Sequence, residues 1–192
     1  MEEAIKESLI KKMKTVNTLL QEVSDTLGPD EFELEIPHEL KLRIPRGYLR
    51  PAIHFRRKLL CVKDLNLKCN ISYQLLLSDL FSWLLNRTDI AYTAREMLIK
   101  YEIVLMASIA ETLRVIFTTK NISFEKGLER LLNNGKISPN TEAEICWLWK
   151  TRMDIHLFEI QVQEFRKYED EHFNRAVFAV RTMLAELNKN CI

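Results

Sequence analysis

Apolar residues recur at helical spacing along most of this chain, and one short stretch alternates instead. In residues 2 to 27, Ile5, Leu9, Val16, Leu20, Val23 and Leu27 lie three, four or seven apart with Glu, Lys and Gln between them. That pattern predicts an amphipathic helix, ended by Gly28-Pro29. The period then changes to two: Phe32, Leu34 and Ile36, followed by Leu40, Leu42 and Ile44. With Pro37-His38-Glu39 as the loop, Ile36 faces Leu40, Leu34 faces Leu42, and Glu33 and Glu35 face Arg43 and Lys41. This predicts a small β-hairpin near residues 31–45.

Beyond residue 70 the helical period returns. Asn70 or Ser72 is positioned to cap a helix over ISYQLLLSDLFSWLLNR, and Thr88-Asp89 to open a longer one through Phe117. That longer helix is apolar over much of its circumference and is expected to be central. Ser123 or Asn121 opens a short helix closed by Gly135, and Ser138 with Pro139 opens another through His156. Phe173, Ala176, Val177, Val180, Met183, Leu184 and Leu187 mark the last. The expected fold is mainly α, an up-and-down bundle of about five to six helices with a hairpin insertion.

Composition narrows this picture. The 192 residues are 47% hydrophobic and 29% charged, enough for one core, so residues 1–192 are expected to form a single domain. Within it fall an N-terminal helix (1–28), a hairpin and basic segment (30–68) and a helical core (70–190). A net charge of +1 argues against a globally basic nucleic-acid binder. The opening MEEAIKES lacks the features of a secretory signal, and the run Leu75 to Leu85, broken by Ser78 and Asp79, is too short to span a bilayer. A cytoplasmic protein without membrane contact is the expectation. Cys61, Cys69, Cys146 and Cys191 form no CxxC pair, which fits reduced thiols. His54, Cys61 and Cys69 match no common zinc spacing, so neither a metal nor a cofactor is expected.

Charge in apolar surroundings supplies the candidate chemistry. On the helix from Ser138 to His156, Ile145, Leu148, Trp149 and Ile155 share a face with Arg152 and His156 between them. Burying such groups unpartnered costs several kcal/mol, so the face should meet an anion. Glu102 lies among Leu98, Leu105, Ile109 and Leu113 on the long helix, which makes it the expected partner of Arg152 or His156. Glu111, on a side read as more polar with Lys100 and Arg114, is the second choice. A further segment, Lys41 to Lys63, carries no acid. Its Arg43, Arg46, Arg50, Arg56, Arg57 and Lys58, with Tyr48, His54 and Phe55 interleaved, could track an RNA backbone, or could be a solvated face balanced by the acids of the hairpin.

The order of elements over residues 70 to 190 resembles the HEPN superfamily of helical bundles. The resemblance is carried by AYTAREMLIKYEIVLMASIAETLRVIF, SFEKGLERLLNNGKIS, LWKTRMDIH and NRAVFAVRTMLAEL. Three residues separate Arg152 from His156, fewer than in the usual family motif, and Met153 stands where Asn is common. The resemblance implies a metal-independent endoribonuclease site in which Arg152 and His156 act across a homodimer, with Glu102 as an accessory acid. It also implies employment as a toxin or defence effector, with an antitoxin or regulatory partner. An imidazole suits proton transfer near neutral pH, and a guanidinium suits a charged phosphorane. Alternatively the three side chains form a satisfied polar network in a catalytically silent scaffold, nucleotide-binding or regulatory module. Trp147 and Trp149 are expected to be core or interface aromatics.

Overall fold

The computed structural model describes residues 2–27, 47, 49–155 and 167–189. Among them are seven helices: α1 (Glu2–Leu27), α2 (Ala52–Arg56), α3 (Leu65–Arg87), α4 (Tyr92–Phe117), α5 (Phe124–Asn133), α6 (Pro139–Met153) and α7 (Asp170–Lys189). No helix among the described residues is long and apolar enough to cross a membrane. The expected hairpin near 31–45 lies outside the described residues. The chain divides into two compact units, Met1–Ile44 and Pro45–Ile192.

In the first unit, α1 is amphipathic as its periodicity predicts. Ile5, Leu9, Met13, Val16 and Val23 stand exposed along it.

The second unit is a bundle around α4, which packs against α3, α5, α6 and α7. Ile103, Ile109 and Leu113 on α4, Leu128 on α5, Ile145 and Leu148 on α6, and Val180, Met183 and Leu187 on α7 have no exposed surface. Each such aliphatic side chain contributes roughly 1.5–3 kcal/mol by leaving water.

Local signals set most boundaries. Ser123 Oγ accepts from the Lys126 amide at 3.3 Å, and Ser138 Oγ from the Thr141 amide at 3.2 Å, with Pro139 opening α6. Gly135 follows α5 at φ 64°, the left-handed conformation that glycine adopts without steric cost.

Three boundaries differ from expectation. Asp64, accepting from the Leu67 amide at 2.7 Å, starts α3 ahead of Asn70 and Ser72, which therefore lie inside the helix. The long helix α4 begins at Tyr92 rather than at Thr88-Asp89, because Thr88 is consumed as the end of α3, its hydroxyl donating to the Leu84 carbonyl at 2.6 Å. Finally, α6 ends at Met153, with Asp154 as its C-cap, short of His156.

The side of α4 expected to be polar is buried too: Lys100 and Arg114 are each only 4% exposed. Gly127 of α5 makes room for Arg114, since a Cβ there would come within 2.3 Å of Arg114 Cδ. Arg114 Nη1 donates to the Thr119 carbonyl at 3.0 Å.

Candidate functional site

Two tryptophans on α6 each carry an arginine, and the two arginines are treated differently. Trp149 stacks on Phe124 of α5, with centroids 4.0 Å apart and planes 8° from parallel. The Arg152 guanidinium carbon lies 5.0 Å from the Trp149 centroid, and Nη1 donates to Met153 Sδ at 3.3 Å. Arg114 approaches the Phe124 ring at 5.7 Å, so cations flank the stacked pair. Arg152 is half-buried, and none of its contacts among the described residues is a carboxylate. Its place in the last turn of α6 also sets it against the negative end of the helix dipole.

Two residues earlier, Arg175 of α7 lies 4.0 Å from the Trp147 centroid. Here Glu144 completes the arrangement, accepting from Arg175 Nε at 2.7 Å and from Nη2 at 3.1 Å. The guanidinium holds the Glu144 carboxyl below its usual range. Both tryptophans therefore pack within the bundle and also serve as platforms for cations.

Glu102 is not joined to Arg152 among the described contacts. It has no exposed surface; Ser78 of α3 donates to its Oε1 at 2.5 Å, and Oε2 has no hydrogen-bond partner among the described residues. Burial pushes its carboxyl up to about 7, against the opposing effects of the Ser78 hydrogen bond and the Arg181 charge. The physical reason for the mismatch is that α4 has four neighbours. A helical wheel shows that Glu102 points inward but not which neighbour it meets, and the one it meets is α3. His156, the other expected partner, lies outside the described residues.

The basic segment is split. Arg43 and Arg46 lie outside the described residues. Arg50 is committed to Asp79 of α3, donating through Nε at 2.7 Å and through Nη2, and it also lies 4.9 Å from the Phe55 centroid. Arg56 lies 6.0 Å from the Tyr73 centroid. Arg57 and Lys58 are exposed at the mouth of a cavity of about 540 Å³ that reaches between α3, α4 and α7.

Sequence reasoning missed Asp79, Arg181 and Asn188 around this cavity. A carboxylate inside the apolar run Leu75 to Leu85 was a usable signal for Asp79. No such signal marks Asn188, whose Oδ1 accepts from the Cys61 amide at 2.9 Å and whose Nδ2 donates to the Lys58 carbonyl at 2.7 Å, pinning residues 58–61 to α7.

No family model, curated protein or solved structure matches this chain. The chemistry of the site therefore rests on its own geometry. Among the described residues no group of three His, Cys, Asp or Glu side chains could hold a metal ion. Cys61, Cys69 and Cys146 form no disulfide among the described residues, and burial pushes Cys146 up to about 11.

Proposed function

We propose that this chain is a metal-independent endoribonuclease of the HEPN kind, acting as a dimer in which Arg152 and His156 of two copies form a composite site. One observation supports the reading above the others. Arg152 sits on Trp149 at the end of α6 with no carboxylate among its described contacts, whereas the neighbouring Arg175 is matched by Glu144. A guanidinium held in one plane by an aromatic face, with no carboxylate beside it among the described residues, is suited to a phosphate.

The reaction would be attack of a ribose 2′-oxygen on the adjacent phosphorus. The new O–P bond forms as the bond to the 5′-oxygen breaks, leaving a 2′,3′-cyclic phosphate. An imidazole takes the 2′-hydroxyl proton, and the second copy's imidazole returns a proton to the leaving 5′-oxygen. Arg152 stabilises the phosphorane, a role worth about 100-fold or more in rate. Glu102, buried against Ser78, takes no part in these steps and keeps a structural role.

The test is incubation of the purified protein with mixed RNAs in EDTA. The reading expects fragments ending in 2′,3′-cyclic phosphate and a loss of about 100-fold or more in Arg152→Ala. Absence of cleavage by the unaltered protein, or equal cleavage by the variant, would overturn it. The second reading, a catalytically silent scaffold, nucleotide-binding or regulatory module, has Arg152, His156 and Glu102 in one polar network, and the described contacts of Arg152 do not include Glu102. It expects no cleavage at all and an Arg152→Ala variant that differs only in partner binding.

A further inference from the structure

The cavity of about 540 Å³ lined by α3, α4 and α7 combines an apolar interior with a basic mouth. Leu75, Met106, Val177, Val180 and Leu184 supply apolar wall. Arg57, Lys58 and Arg181 are exposed at its edge, and Asp79 is the one acid lining it among the described residues. Asp79 does not neutralise those three, because both its oxygens are taken by Arg50. The surplus of cations is felt nearby: burial first, then the charges of Lys58 and Arg50, hold His54 below its ordinary value.

The polar groups inside the cavity are also occupied. Ser78 donates to Glu102, and Asn188 uses its carbonyl and its amide on residues 58–61. Few hydrogen-bonding groups are left for reading a nucleobase or a sugar, whereas apolar wall is plentiful. The volume falls within the range of roughly 300–1,000 Å³ that small-molecule sites occupy.

We propose that this cavity binds an anionic amphiphile, its hydrocarbon tail against Leu60, Leu75 and Leu184 and its phosphate or carboxylate head among Arg57, Lys58 and Arg181. The tail leaves water for the exposed Leu60 and the half-buried Leu75 and Leu184. The head supplies negative charge to a mouth that is cationic among the described residues. The site is separate from Arg152, so it stands or falls apart from the ribonuclease reading.

Calorimetric titration of the full chain with dodecyl phosphate, kept below its micelle concentration, tests the proposal. Saturable binding of one molecule per chain is expected. Arg181→Glu, a change at an exposed position, should weaken it at least tenfold while leaving the circular dichroism spectrum unchanged, and Leu184→Trp, which fills the cavity, should abolish it. Dodecyltrimethylammonium, with the same tail and a cationic head, should not bind. Phosphatidylglycerol vesicles identify the source: co-sedimentation that Arg181→Glu removes supports the site with a membrane lipid as the ligand, and its absence beside dodecyl phosphate binding supports a free one. The proposal is overturned by absence of binding to either, by equal binding of the cationic amphiphile, or by equal affinity in the Arg181→Glu protein.

Discussion

Trp147 and Trp149 sit two residues apart on α6 and each carries a guanidinium, but only one of those cations meets a carboxylate among the described residues. At Trp147 the protein supplies the counter-charge itself, through a two-pronged bond from Arg175 to Glu144. At Trp149 the arginine rests on the ring and bonds a thioether. The first arrangement ties α7 to α6 and is complete. The second orients a cation that meets no carboxylate among the described residues. A charged residue in apolar surroundings therefore carries little functional information until its compensation is known. Glu102 makes the same point, since it is buried with a hydroxyl as its hydrogen-bond partner and a carboxyl that burial raises to about 7.

Removing the platforms is the most forceful way to break the comparison. Trp149→Ala deletes both the ring stacked on Phe124 and the support of Arg152, and should cost about 3 kcal/mol or more in urea unfolding. Trp149→Phe should recover much of that stability. If the alanine change cost no more than a surface substitution, Trp149 would not be the structural anchor described.

Glu102→Gln sharpens the contrast between a charge the core tolerates and one it displays. The folded carboxyl titrates at about 7, above its ordinary 4.5. Its contribution to stability is therefore present below about 4.5 and is lost as pH rises towards about 7, above which the buried charge is a burden. A glutamine retains the acceptor for Ser78 without that charge, so at pH 8 it should raise stability by on the order of 3 kcal/mol, with little effect at pH 4. Equal effects at both pH values would show that Glu102 is not neutralised by burial.

Gly127→Ala should cost about 1–3 kcal/mol, because the new methyl must displace the buried stem of Arg114, which reaches the Phe124 side of the same aromatic stack. Thermal melts of this variant and of Gly127→Ser should both fall.

The smallest expected effect is Glu144→Gln, at about 0.2–1 kcal/mol and diminishing with salt, since the pair with Arg175 is partly solvated.

What was legible in the sequence was local. The capping serines, Pro139 and Gly135 act within a turn of themselves, and the expected starts of α5 and α6 hold. The start of α3 was not legible, because Asp64, Asn70 and Ser72 all carry side chains able to cap and only tertiary packing selects among them. The start of α4 was hidden for the opposite reason: Ala91 makes no side-chain cap bond, so no residue announces it.

Among the candidate site residues, Glu102 was correctly read as inward-facing, but its partner depends on which helix α4 presents it to. The cavity was beyond reach because its wall depends on Asn188 bonding Cys61, residues 127 positions apart, a contact with no periodic signature. For Arg152 the sequence indicated a place on a face meant for burial and a carboxylate partner on α4; the side chain is half-buried, and its described contacts do not include that partner.

The most direct measurement is the single-turnover rate of RNA cleavage in EDTA for Arg152→Lys beside Arg175→Ala. The account predicts that the lysine variant, cationic but without a planar fork, loses about 100-fold or more, while loss of the already neutralised Arg175 leaves the rate within a few-fold. Equal rates for the two variants, or a larger loss at Arg175, would contradict it.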